Sequence, residues 1–94
     1  MRIWIKEPNK EILPAEIDNT LEAMQKVVGG YIESYVLSPT ETVICNEEGK
    51  IRDLPYNCYI EGEYFYGTIF ICGIAGAEFT DTNIDYELVK KIIR

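Results

Sequence analysis

The chain contains no histidine. That removes the imidazole general base, the histidine-relayed nucleophile and the usual nitrogen ligand for a metal. Its three cysteines, Cys45, Cys58 and Cys72, form no CxxC pair, so a structural zinc site would have neither its spacing nor a histidine partner. An odd cysteine count without a signal peptide points to reduced, intracellular thiols rather than a disulfide framework. No GxxxxGKS/T, GxGxxG or GxSxG stretch occurs, and with them go the common phosphate cradles and the nucleophile elbow. No apolar run approaches the roughly 20 residues that a spanning helix needs. In the strand-like start Met1-Arg2-Ile3-Trp4 no targeting segment is visible. Basic residues are also scarce: 9 Lys and Arg against 16 Asp and Glu give a net charge of −7. Direct nucleic-acid binding driven by counterion release is therefore not expected, nor is a membrane partner.

What the chain does have is a length of 94 residues, 47% of them hydrophobic, which suits a single domain over 1–94 with a modest core. Its 12% aromatic content includes seven tyrosines. A tyrosine combines a stacking face with a hydrogen-bonding tip, which serves a binding surface, although tyrosines also simply suit strands. Carboxylates are plentiful. Glu47-Glu48, or Glu61 with Glu63, would be the place for a hard cation, but the regular Asp/Asn spacing of oxygen-ligand loops is missing. No metal or other cofactor is expected, and the absences together favour binding over catalysis.

Arg2 to Lys6 alternates as a strand, with Ile3 and Ile5 on one face and Trp4 on the other. After a Pro8-Asn9-Lys10 turn, Glu11 to Ile17 can return as an edge strand, the only place that tolerates Pro14. Asn19 to Val28 is a helix, with Asn19 and Glu22 as a capping box and Gly29-Gly30 as its stop. Tyr31 to Leu37 and Thr42 to Cys45 are strands joined by the Ser38–Glu41 turn. Asn46-Glu47-Glu48-Gly49 turns again, and Asp53-Leu54-Pro55 opens a short helical turn. Gly67 to Gly73 is a short, continuous apolar run of the kind that forms a buried strand. A last helix spans about Asn83 to Arg94, capped by Thr82 or Asp81, with acids early and bases late as the helix dipole favours. The fold class is α+β: a mainly antiparallel sheet with two principal helices packed on one face.

The polar candidates for a site are Asn46, Glu47, Arg52, Asn57 and Thr68. Arg52 could clamp a phosphate or base, or pair with Asp53 or Glu48. Tyr56 and Tyr59, flanking the short helical turn beside Arg52, would offer stacking faces for a nucleobase. The same tyrosines could instead cover the sheet as core.

The ordered blocks Glu16-Ile17-Asp18-Asn19-Thr20-Leu21-Glu22, Asn46-Glu47-Glu48-Gly49, Leu54-Pro55-Tyr56-Asn57 and Gly67-Thr68-Ile69-Phe70-Ile71-Cys72-Gly73 resemble an uncharacterised small domain family of phages and bacterial mobile elements. The family carries no activity to transfer residue by residue. Its context implies a protein of the bacterial host's cytoplasm that counters host defence without catalysis. Two roles follow. One is a homo-oligomeric sponge for a cyclic nucleotide second messenger, held by Asn46, Glu47, Arg52, Tyr56, Asn57, Tyr59 and Thr68. The other is an acidic decoy or inhibitor that binds a basic surface of a host defence protein or nuclease through carboxylates such as Glu47, Glu48, Glu61 and Glu63.

Overall fold

A computed structural model describes residues 1–94. In chain order the elements are β1 (Arg2–Lys6), β2 (Leu13–Glu16), α1 (Leu21–Val28), β3 (Ile32–Ser38), β4 (Glu41–Asn46), β5 (Tyr56–Ile60), β6 (Glu63–Tyr66), β7 (Ile69–Ala75), β8 (Glu78–Thr80) and α2 (Tyr86–Ile92). The main sheet runs β2-β1-β7-β4-β3, with β8 pairing the far end of β7, and every pairing is antiparallel. β2 returns along β1 as a hairpin and forms an edge, which accommodates Pro14. β5 and β6 form a separate two-stranded sheet.

The apolar runs of β4 and β7 become central strands because both of their faces are covered. Alternation sends Val43, Cys45, Ile69 and Ile71 to one side, where they meet Cys58, Ile60 and Phe65 of the β5–β6 hairpin and Val89 of α2. It sends Ile44, Phe70 and Cys72, with Ile3, to the other side, where Met24 and Val28 of α1 cover them. The two helices therefore lie on opposite faces of the sheet and not on one. A hairpin already occupies most of the first face, so α2 needs to contribute only Val89 as a fully buried residue, while α1 closes the second face.

Three local expectations also change. Thr20, not Asn19, caps α1: its hydroxyl accepts from the Ala23 N–H at 3.1 Å, while the Asn19 side chain donates to Phe79 O. Gly29 ends the helix in the left-handed conformation, with its N–H on Gln25 O. The last helix starts at Tyr86, capped by Asp85, not at Asn83. The preceding residues stay extended because their polar groups are taken. The buried Glu41 carboxylate accepts from the Thr82 hydroxyl and the Asn83 N–H, and Ile84 O accepts from the Trp4 indole. Finally, Asp53 sits at φ 57° in a turn and Leu54-Pro55 runs into β5. The short helical turn expected there does not form.

No helix is long and apolar enough to cross a membrane.

Candidate functional site

The β5–β6 hairpin turns at Glu61-Gly62, both at positive φ (45° and 90°), the geometry of a tight two-residue hairpin loop. A register shift between Tyr56 and Cys58 marks a bulge. The bulge lets both Asn57 and Cys58 point inward and returns Tyr59 to the outer face beside Tyr56. On β6, Tyr64 and Tyr66 lie on that outer face while Phe65 is buried. Four tyrosines thus gather on one surface. Ring centroids are 4.9 Å apart for Tyr59–Tyr64, 5.6 Å for Tyr56–Tyr66 and 6.3 Å for Tyr56–Tyr64, with the rings tilted against one another. Tyr64 is 54% exposed and Tyr56 48%, so this is surface, not core. The Tyr56 hydroxyl titrates above its ordinary range through desolvation by its neighbours, then repulsion from Cys58, Tyr64 and Tyr66.

Beside the platform lies a cleft of about 210 Å³ between β3, the 47–51 turn and β6. Its walls carry Glu33, Tyr35, Glu47, Lys50, Tyr64 and Tyr66. The Lys50 ammonium stands 6.0 Å from the Tyr66 ring centre, and Tyr35 packs edge-on against Phe65 at 5.4 Å. The cleft is electrically negative. Glu33, as hydrogen-bond acceptor, with burial and the charge of Glu63 behind it, pushes the Tyr35 phenol up to about 12. Burial, then Glu33 and Glu63, push the Cys45 thiol to about 12 against a smaller opposing pull from Lys50. Burial raises Cys58 to about 11 and Cys72 to about 12. All three cysteines are free and buried, and burial favours the protonated thiol at each. No group of three or more Cys, Asp or Glu side chains is placed to hold a metal.

The residues singled out in the sequence separate into two kinds. Asn46 and Asn57 are buried joints of the scaffold, and Asn46 also reaches the wall of the cleft. The Asn46 amide donates to Val28 O at 3.1 Å, and its carbonyl accepts from the Glu48 N–H at 2.8 Å, tying the end of α1 to the following turn. The Asn57 amide donates to Lys6 O and to Gly67 O, both at 2.8 Å, and accepts from the Lys6 ammonium at 3.1 Å. Thr68 is half-buried at the entrance to β7, away from the platform's ring contacts. Arg52 makes no ion pair, and its guanidinium lies against Gly30 at the end of α1. Tyr56, Tyr59 and Glu47 do belong to the exposed surface. Tyr64 and Tyr66 belong to the densest aromatic run of the sequence but are not among its site candidates, and neither are Glu33, Tyr35 and Lys50. The available signal was Glu61-Gly62 as a hairpin turn between two Tyr-rich alternating runs.

The blocks that the sequence resemblance picks out meet in space. Pro55 O accepts from the Gly67 N–H at 2.7 Å, Asn57 bonds Gly67 O, and a side chain at Gly67 would meet Leu54 Cδ1 at 2.8 Å. Asn46 O accepts from the Gly49 N–H, and a side chain at Gly49 would meet Tyr66 O at 2.9 Å. These motif residues build the frame that holds the hairpin against the sheet.

Fold and surface together define a small α+β domain with an antiparallel core sheet and an aromatic hairpin face. The family model for the domain of unknown function DUF3846 matches residues 1–93, and the chain belongs to that family. No curated protein and no solved structure matches it.

Proposed function

We propose that this is a non-catalytic binding protein that docks onto a basic protein surface, with a cationic side chain of the partner entering the cleft beside the tyrosine platform. The observation that carries this is the cleft's chemistry: aromatic walls from Tyr35, Tyr64 and Tyr66 with the Glu33 and Glu47 carboxylates at the rim. Aromatic faces and carboxylates together attract a Lys or Arg head, and exposed tyrosines are the usual anchors of an interface. At about 210 Å³ the cleft falls below the range of whole-ligand pockets but suits one side chain. A phage or mobile-element product that blocks a host defence protein or nuclease would use such a surface.

The test is calorimetric titration with an Arg/Lys-rich peptide at low and at physiological salt. The expected result is binding that weakens as salt rises and falls by about tenfold or more in the Glu33→Gln/Glu47→Gln variant. Binding that ignores both salt and these substitutions would reject the proposal.

A second reading keeps the nucleotide sponge. The four-tyrosine surface, with Lys50 beside Tyr66, supports stacking of a base. A thermal-shift screen against cyclic di- and trinucleotides tests it. A ligand that raises the melting temperature of the native protein but not of Tyr56→Ala/Tyr64→Ala supports this role. The absence of any shift removes it.

A further inference from the structure

Four of the chain's nine basic residues, Lys6, Lys10, Lys90 and Lys91, lie on β1, the turn after it and α2, and three of them converge. Lys6, Lys10 and Lys90 line one cleft of about 390 Å³, between the end of β1, the turn that follows it and α2. In a chain of net charge −7 such a convergence is not a consequence of composition. Glu11 is the single carboxylate on its wall.

The cleft is organised before any ligand arrives. The Lys6 ammonium donates to Asn57 Oδ1 at 3.1 Å and to Glu7 O at 3.0 Å, which fixes its position and leaves one of its three donors uncommitted. Lys10 is brought back over the cleft by the turn in which its N–H bonds Glu7 O, with Asn9 at φ 62°. Lys90 sits 4.4 Å from the Tyr86 ring centre, and the other neighbour of that ring is Trp4 at 5.8 Å. Lys10 and Lys90 are otherwise held only by exposed pairs, to Glu7 and Glu87, each at 3.5 Å. Exposed pairs of this kind contribute little, so both ammonium groups can turn to a stronger anion. Ile12, Ile93 and the Tyr86 ring supply an apolar wall.

We infer that this cleft binds a small phosphorylated ligand of nucleoside-monophosphate size, with the phosphate among Lys6, Lys10 and Lys90 and its compact, flat body against Tyr86. The cleft volume lies in the range that accepts a small molecule, and three ammonium groups suit a phosphate as convergent point charges. The site is separate from the acidic cleft and stands whether or not basic partners dock there. It supplies a phosphate subsite that Arg52, turned toward Gly30, does not provide.

The test is amide chemical-shift mapping of the full chain at low salt, titrated with adenosine monophosphate, ribose 5-phosphate and adenosine. The expected result is saturable shifts at Asn9, Lys10, Tyr86 and Lys90 with both phosphorylated probes and none with adenosine. In Lys10→Gln/Lys90→Gln the dissociation constant should rise about tenfold or more. The Glu33→Gln/Glu47→Gln variant should bind the probes as the native protein does, which separates this site from the docking surface. Both lysines are surface residues, so the fold of the variant is checked by its unchanged spectrum elsewhere. Absence of shifts at millimolar phosphorylated probe, shifts confined to other surfaces, or native affinity in the double lysine variant would each overturn the inference.

Discussion

Replacing Asn57 with alanine should destabilise the whole domain. Its amide N–H₂ bridges Lys6 O on β1 and Gly67 O before β7, and its carbonyl holds the Lys6 ammonium. One side chain thus clamps the hairpin to β1 and to the link that leads into β7. Alanine leaves the Gly67 carbonyl buried without a donor and the Lys6 carbonyl partly so. An unsatisfied buried polar group costs about 1–3 kcal/mol, and with two acceptors of unequal burial the loss should be roughly 2–4 kcal/mol. A domain of this size has a total stability of about 5–14 kcal/mol, and each kcal/mol moves the melting temperature by about 4–8 °C. The melting temperature should therefore fall by roughly 10–30 °C. Urea unfolding followed by the fluorescence of the lone Trp4 measures the same loss as a lower midpoint. Asn57→Asp should do no better than alanine, because it keeps the acceptor for Lys6 but turns a carboxylate toward two carbonyls. An Asn57→Ala protein with the native midpoint and slope would refute the assignment of Asn57 to the scaffold.

Two further outcomes follow from the core. Gly73→Ala should cost about 2–3 kcal/mol or prevent folding, because the new methyl would meet Asp81 O and come within 3.0 Å of Thr80 Cγ2, and the backbone that it meets cannot turn aside; a native urea midpoint would contradict this. Stability should also fall in alkali. The Cys45, Cys58 and Cys72 thiols rise from 9.0 to about 12, 11 and 12 in the folded protein, so above pH 9 the unfolded chain loses protons that the folded one keeps. Their contribution is unaffected below pH 9 and is lost as pH rises from 9 through the folded values, to about 11 for Cys58 and about 12 for Cys45 and Cys72, by about 1.4 kcal/mol per thiol at pH 10. Urea midpoints at pH 7 and pH 10, compared with those of Cys72→Ala, measure it; an identical pH dependence in the variant would show that Cys72 is not part of the effect.

Much of the framework was legible because it rests on local rules. Alternation in Arg2–Lys6 specifies a strand and the unbroken apolar run at Ile69–Cys72 a buried one, and both occur as such. Pro14 restricts its segment to an edge because it has no N–H to donate, and β2 is that edge. Gly29 stops α1 because it accepts the left-handed conformation at little cost. Net charge and the missing histidine also bound the chemistry before any fold is known.

Other features depended on contacts between distant residues. The exclusion of helix from Thr82–Ile84 comes from Glu41 and Trp4, each more than 40 positions away in the chain. The roles of Asn46 and Asn57 depend on carbonyls that other segments deliver to them, 18 residues away for Val28 and 51 for Lys6. A turn asparagine that bonds its own loop looks the same in sequence as one that joins two elements or faces a ligand. The side of the sheet on which each helix lies was equally hidden, because an apolar stripe specifies burial but not against which face. That choice was made by the β5–β6 hairpin, whose bulge turned Cys58 inward and Tyr56 and Tyr59 outward. The sequence by itself determined strands β1, β3, β4 and β7, the edge at β2 and the absence of histidine chemistry, since these follow from backbone preference and composition. Only the tertiary structure decided which polar residues hold the frame and which face solvent, since hydrogen-bond partners and burial are set by packing across the fold.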